Sequence, residues 1–270
     1  MAILAVTVIG IICAVMLAVA SKVMAVKVDE KAAALREALP GANCGACGYP
    51  GCDGYAAALT GGGVKTNLCI PGGDAVAEQV SVILGVSFEN VVEKVAVVHC
   101  IGDCDATKDR IDYEGITTCA AAKLLGGKGS CSYGCIGFGD CAAVCPYGAI
   151  CIEKGIARVD TRKCTGCSMC VAACPNKIIT VERDTIKTAV LCSNKDKGAV
   201  TRKKCTVGCI ACKKCEKECP VQAIVIENNL SVIDYAKCTD CGHCAEVCPV
   251  KCISLSDYRG VNTYKKGSAV

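Results

Sequence analysis

The chain has 270 residues, room for one to three domains, and 28 of them are Cys. In a short secreted chain that density would mark a disulfide scaffold. Here the cysteines recur in short repeated spacings, the habit of metal ligands kept reduced inside the cell. With no Trp, 2 Phe and 8 Tyr, small modules bury limited apolar area, and metal sites are expected to supply the missing folding energy; the net charge of +4 is ordinary.

Taken in order, residues 2–26 are almost entirely apolar, with no charge through Ala20 and with Lys22 and Lys27 following. About 20 such residues span a bilayer as a helix. A cleaved signal peptide is the competing reading, but no basic stretch precedes the run and it exceeds the usual apolar core of a leader. A retained anchor over 1–27 is expected. The lysines after it place the rest of the chain in the cytoplasm by the positive-inside rule, so a single-pass protein of the cell membrane is expected, with its thiols on the reducing side. Cys13, inside the span, reads as a small apolar residue.

Residues 28–98 form a second expected domain. Asp29–Leu39 reads as a helix with acids at its start, stopped by Pro40 and Gly41. Then come Cys44, Cys47, Cys52 and Cys69, spaced C-x2-C-x4-C-x16-C, with glycines and a proline threading between the first three. Such a loop suits a [4Fe–4S] cube, although zinc also accepts four thiolates. A helix capped by Asp53 should follow, then a helix over Asp74–Leu84 and a Val-rich buried strand within Val91–His99. A lone His such as His99 is more often hydrogen-bonded than a ligand.

The remaining cysteines fall into two units, 99–190 and 191–256. In the second, C-x2-C-x2-C-x3-C-P occurs twice, at Cys209/Cys212/Cys215/Cys219 and Cys238/Cys241/Cys244/Cys248. This is the bacterial ferredoxin run, in which the fourth Cys ligates the other run's cluster. The expected sets are Cys209, Cys212, Cys215 and Cys248, and Cys238, Cys241, Cys244 and Cys219. In the first unit, Cys164/Cys167/Cys170/Cys174 is regular, and one set is Cys164, Cys167, Cys170 and Cys145. The other run is defective, because Phe138 stands where Cys212 stands in its counterpart. Cys131 is the expected substitute, giving Cys131, Cys135, Cys141 and Cys174. Five clusters are thus expected.

Cys100, Cys104, Cys119, Cys192 and Cys205 remain. Cys205 precedes Cys209 by four residues as Cys131 precedes Cys135, and Cys192 and Cys119 stand thirteen and twelve residues before Cys205 and Cys131. Three readings are open for them: a sixth cluster, thiols hydrogen-bonded near clusters, or packing residues. Cys151 and Cys252 read as buried small hydrophobes. AICIEKGIARVD and AIVIENNLSVID should form hairpins bent at Gly155 and Asn228-Asn229. The polar tail 257–270 should be mobile.

Charge is uneven: residues 180–270 carry 15 basic and 10 acidic residues. Lys197, Arg202, Lys203, Lys204, Lys213, Lys214 and Lys217 cluster near Glu216. A patch of this kind steers an acidic partner or is simply a solvated face. Stacking aromatics are missing, which argues against nucleic acid. No Rossmann GxGxxG and no nucleophile–base pair is present, so neither NAD binding nor a catalytic site is expected in this chain.

The apolar N-terminal stretch, GANCGACGYPGCDGYA and the ferredoxin repeats together resemble the B subunit of the Rnf complex, in the longer clostridial form with a second ferredoxin-like repeat. The resemblance implies an α+β architecture: a transmembrane helix, a small helical four-Cys [4Fe–4S] domain and two tandem ferredoxin-like modules of βαβ type. It also implies that Cys44, Cys47, Cys52 and Cys69 bind a [4Fe–4S] cluster. The function implied is electron transfer from reduced ferredoxin into an ion-translocating ferredoxin:NAD oxidoreductase, whose other membrane subunits carry flavin and NAD. Competing readings are a polyferredoxin conduit of another membrane reductase or hydrogenase, and a structural zinc or corrinoid-partner protein.

Overall fold

The computed structural model describes residues 2–23 and 29–255. Lys27 and the expected tail 257–270 lie outside the described residues. The first helix, α1 (Ala2–Val23), exposes Ile11, Ile12, Val15, Met16 and Leu17, so these apolar side chains find no cover among the described residues. Its described side chains are those of residues 7, 8 and 10–21. Among the described residues no helix is long and apolar enough to cross a membrane, so the expected transmembrane helix is not shown.

The four-Cys domain packs three helices. Asp29 caps α2 (Glu30–Ala38) by accepting the Lys31 N–H at 3.0 Å. The next helix, α3 (Gly51–Thr60), starts earlier than its expected cap, so Asp53 sits in its first turn and pairs instead with Arg36 at 2.7 Å. With α4 (Gly73–Leu84) they enclose Leu35, Leu39, Tyr55, Leu59 and Val80 around Cys52 and Cys69. The Tyr55 hydroxyl, otherwise a stranded polar group in this core, donates to the Lys65 carbonyl at 2.7 Å.

The first ferredoxin-like unit opens with β1 (Lys94–Val98), continues through α5 (Cys119–Leu124), α6 (Asp140–Ala143), β2 (Ile150–Glu153), β3 (Ile156–Val159) and α7 (Met169–Ala173), and closes with β4 (Ile179–Arg183). β1 and β4 pair antiparallel, Val98 opposite Ile179, and β2 and β3 form a hairpin. The second unit repeats this plan: β5 (Thr188–Val190), α8 (Gly198–Lys204), α9 (Lys214–Lys217), β6 (Ile224–Glu227), β7 (Leu230–Ile233), α10 (His243–Val247) and β8 (Ile253–Leu255), with β5 on β8 and β6 on β7. All four ladders are antiparallel, and each unit strings strand, helix and strand twice over in chain order. The expected boundary at 98/99 also falls on the wrong side of β1, whose partner is β4 of the following unit.

Backbone conformation repeats with the sequence. Residues two before the third Cys of each run (Gly139, Ser168, Lys213 and Gly242) adopt positive φ and open the short helix bearing that Cys. The hairpins turn on Lys154-Gly155 and Asn228-Asn229, with both central residues at positive φ, the type I′ requirement. β1 is apolar from Val95 to Val98 because both its faces are covered. Ala96 and Val98 face the core of the first unit, while Val95 and Val97 pack on Ile186, Ala189 and Leu191 at the junction with the second.

Candidate iron–sulfur sites

Cysteines are part of every main core, drawn inward by the elements just described. Site I comprises Cys44, Cys47, Cys52 and Cys69. Burial first, then the charges of Cys52, Cys44 and Cys47, push the Cys69 thiol up to about 11. Asn43 shapes this loop by accepting the Cys52 N–H at 2.8 Å. Gly51 is required there, with φ +78° and room only for hydrogen, since a Cβ would lie 3.0 Å from the Asn43 Oδ1.

In the first ferredoxin-like unit, Cys145, Cys164, Cys167 and Cys170 line one pocket of about 320 Å3, site III. A second pocket, about 370 Å3, is lined by Cys119, Cys135, Cys141 and Cys174, site II. Burial, then the charges of Cys135, Cys119 and Cys174, push Cys141 up to about 12. Cys131 is not among the cysteines lining this pocket, so the structure does not bring the expected substitute to site II.

The signal that identifies Cys119 is Phe138 itself. Phe138 packs against the α5 segment with Ile136 and Tyr113, its ring 5.3 Å from that of Tyr113 and beneath Lys128 at 5.6 Å. Asp140 accepts the N–H groups of Cys119 and Ala120 at 2.8 and 2.9 Å, and Thr118 caps the helix. The defective run thus lacks a thiol at position 138, and the segment that Phe138 packs against brings the Cys119 thiol to the pocket.

In the second unit, Cys215 stands among the charges of Cys209, Cys212 and Cys248 (site IV). Cys238 stands among those of Cys219 and Cys241, and Cys244 is acted on by Cys238 and Cys241 (site V). Cys252 is buried against site IV, 3.7 Å from Cys248. Its hydrogen bonds pull Cys209 down to about 6 and Cys248 to about 5, while its own thiol is held protonated. Cys151 is exposed, on the outward face of β2, contrary to its expected burial. Cys104 is exposed too, so the five leftover cysteines do not form one group.

A third pocket, about 460 Å3 in empty volume, holds Cys100, Cys131, Cys192 and Cys205 between the two units. His99 is fully engaged: Nδ1 donates to the Val190 carbonyl and Nε2 pairs with the Thr180 hydroxyl, both at 2.7 Å.

The donor chemistry fits an iron–sulfur cluster, since each of the pockets of sites II and III is lined by four cysteines. Among the described residues no three His, Cys, Asp or Glu side chains draw together as ligands of a single metal ion. Backbone N–H groups point at sulfur: Ala96 at Cys164 (3.3 Å), Ala149 at Cys145 (3.4 Å), Ala223 at Cys219 (3.3 Å) and Asp240 at Cys238 (3.4 Å). Such bonds offset the negative charge that a cluster and its thiolates carry.

Family models cover part of the same stretches, one match crossing from the first ferredoxin-like unit into the second. A putative Fe-S cluster model matches residues 39–71, and a 4Fe-4S dicluster domain model matches 163–223 and 208–252. The B subunit of the Na(+)-translocating ferredoxin:NAD(+) oxidoreductase complex of Acetobacterium woodii is 45% identical over 231 residues, 85% of this chain and 69% of its own length. The B subunit of the ion-translocating oxidoreductase complex of Methanosarcina acetivorans is 43% identical over 85% of this chain and 88% of its own. The chain belongs to the family of Rnf B subunits. The B subunit of the proton-translocating ferredoxin:NAD(+) oxidoreductase complex of Clostridium ljungdahlii, 42% identical, is likewise covered over 83% of its length. In this Rnf family member, thiols of neighbouring sites act on one another. Cys44 of site I acts on Cys167 of site III, Cys170 of site III on Cys141 of site II, and Cys215 of site IV on Cys244 of site V.

Proposed function

We propose that the chain is the electron-relay subunit of a membrane-bound, ion-translocating ferredoxin:NAD oxidoreductase, with [4Fe–4S] clusters at sites I to V. The ligand sets are Cys44/Cys47/Cys52/Cys69, Cys119/Cys135/Cys141/Cys174, Cys145/Cys164/Cys167/Cys170, Cys209/Cys212/Cys215/Cys248 and Cys219/Cys238/Cys241/Cys244. A cluster at each site supplies one-electron exchange. The protein's part is to hold the thiols, exclude water and set potential through hydrogen bonds to sulfur.

The observation that carries this reading is that sites II and III stand in file on one core: Cys141 and Cys170 are buried in it together, with Cys135, Cys145, Cys164 and Cys174 packed against it. A structural zinc protein has no use for such a file. Reduced ferredoxin is the donor, docking where Lys213 and Lys214 flank Cys212, all three exposed. Of the other basic residues, Lys197, Arg202, Lys203 and Lys217 are exposed, whereas Lys204 is tied to Asp196 at 2.8 Å. Flavin- and NAD-bearing subunits of the complex take the electrons onward.

We place α1 in the membrane as a single-pass anchor, with the cysteine domains on the cytoplasmic side. The support is its 22-residue length, the lack of charge through Ala20 and the outward exposure of its apolar side chains. Anaerobic purification of the full chain tests the whole reading by iron, sulfide and zinc analysis with EPR after reduction. About four irons per site and signals of reduced cubes are expected; zinc without such signals overturns it. Recovery with flavin-bearing membrane subunits separates an Rnf relay from a hydrogenase conduit.

A further inference from the structure

We infer that Asp240 and Ser231 hold the two clusters of the second ferredoxin-like unit at different potentials, site V below site IV, so that an electron on this unit rests on site IV. The inference rests on the cluster reading of sites IV and V, but its own support lies in side chains outside every ligand set.

The two units correspond position for position. Cys164 opens the second run of the first unit and Cys238 that of the second. Two residues later each loop turns through positive φ, at Gly166 (+65°) and Asp240 (+53°). Gly137 and Ala211 hold the same place in the other two runs, so Asp240 is the one charged side chain at this corner. Gly166 leaves no room for one, because a Cβ there would lie 2.6 Å from the Lys94 carbonyl oxygen at the start of β1. In the second unit the Asp240 Oδ1 instead accepts the N–H groups of Lys187 and Thr188 at the start of β5, at 3.2 and 3.1 Å.

That contact takes a donor away from sulfur. Ala96 and Thr188 stand two residues before the ends of β1 and β5. The Ala96 N–H donates to the Cys164 Sγ at 3.3 Å, whereas the Thr188 N–H is held by Asp240. Site V thus lacks the strand donor that site III has. The N–H of Asp240 itself donates to the Cys238 Sγ, but Gly137 and Ala211 do the same for Cys135 and Cys209, so it makes no difference between sites. What site V gains is a carboxylate, its Oδ1 3.9 Å from the Cys238 Sγ, with no ion-pair partner among the described residues. A negative charge beside a cluster and a missing N–H···S bond both oppose an added electron.

Site IV is biased the other way. Ser231, 2% exposed on β7, brings its hydroxyl 3.4 Å from the Cys215 Sγ, and against a ligating thiolate the hydroxyl is the donor. Ala157 stands at that place in the hairpin of the first unit, and Ile178 stands where Cys252 adds a second side-chain donor to site IV. One electron therefore leaves site V and arrives at site IV, with no bond made and no proton moved. Whether it enters beside exposed Cys212 or exposed Cys241, it settles on the site that borders the first unit. There Gly208 lines the pocket between the units and the Cys209 N–H donates to the Cys192 Sγ at 3.3 Å.

Redox titration of the anaerobically prepared full chain, followed by EPR, tests the inference. Asp240→Asn keeps an acceptor for Lys187 and Thr188 and removes the charge. It should raise the potential of one component, shifting the partition of an electron between sites V and IV by about ten-fold, or about 59 mV. Ser231→Ala should lower the potential of a different component, and the double variant should move both, with iron at the wild-type value throughout. Asp240→Gly, which copies Gly166 and frees the Thr188 N–H for Cys238, should raise the same component at least as far as Asn does, and carries the test if the Asn variant loses iron. Potentials that stay in place with iron retained overturn the inference and leave Asp240 a cap of β5 and Ser231 a packing residue. Movement of one shared component by both residues, or loss of a cluster from both Asp240 variants, overturns it as well. Wild type without iron overturns the underlying reading instead.

Discussion

The Sγ of Cys252 lies 3.7 Å from that of Cys248, in the core of the second ferredoxin-like unit, and belongs to none of the proposed ligand sets. A thiol hydrogen pointed at a ligating sulfur stabilises the more negative, reduced state more than the oxidised one. Cys252→Ala removes that donor while leaving all ligands of site IV in place. The expected result is unchanged iron and a lower potential at that site. A differential of about 1 kcal/mol for the lost bond corresponds to about 40 mV for one electron. Redox titration followed by EPR reads it, and Cys252→Ser, which keeps a donor, should lie between Ala and wild type. A potential unmoved in Cys252→Ala would show that the thiol only fills space.

Site II carries a rearrangement that can be reversed. Cys119→Ser should cost about four irons, one cluster, and Phe138→Cys places a thiol where Cys212 stands in the equivalent run. The double variant should recover the lost iron if position 138 retains the geometry of a ligand position. Removal of the ring also frees Tyr113 and Lys128 from their contacts, so α5 should become more sensitive to proteolysis even as iron returns. Iron that stays lost in the double variant would mean that the loop has drifted from its ancestral course.

The regular runs and the two hairpins could be read from the sequence because their determinants are local: ligand spacing within one loop and positive-φ residues at a two-residue turn. Cys119 and Cys131 could not be placed that way. Their sites are set by where a long insertion lands after folding, and Cys100 and Cys131 lie 31 residues apart whereas Cys192 and Cys205 lie 13 apart. Matching by count aligns Cys119 with Cys192, but matching by strand end aligns Cys100 with Cys192. The boundary expected at 98/99 parts β1 from its own unit for the same reason, since its partner β4 follows after both Cys runs. Cys252, by contrast, is buried as its sequence suggests, but its hydrogen bond depends on packing that no spacing records.

His99 ties the units together through groups from both. Its ring bridges Val190 of β5 and Thr180 of β4, and its own carbonyl accepts from Ser193 at 2.9 Å. His99→Ala leaves the Val190 carbonyl without its side-chain donor and opens a void in the junction. A loss of about 2–4 kcal/mol is expected from the unmet polar group and the cavity together. Since cluster loss makes unfolding irreversible, the measurement is the guanidinium concentration at which half the cluster absorbance disappears under anaerobic conditions. It should fall in His99→Ala, and His99→Gln, able to keep one bond, should fall less.

Docking of ferredoxin is tested at the exposed lysines beside Cys212. Lys213→Glu with Lys214→Glu reverses charge beside the outermost thiol of site IV without touching a ligand. Reduction by ferredoxin at low salt should slow by about ten-fold or more, as expected when steering charges are inverted. The difference should shrink as ionic strength rises and the Debye length falls to about 8 Å. Lys204→Glu is the informative contrast, because that lysine is already neutralised by Asp196 and half withdrawn from solvent. Its effect on the rate should be smaller, and the loss of its ion pair should show in α8 stability instead. Stopped-flow reduction at two salt concentrations distinguishes these outcomes: equal rates for wild type and the double variant at low salt would move the docking surface elsewhere on the chain.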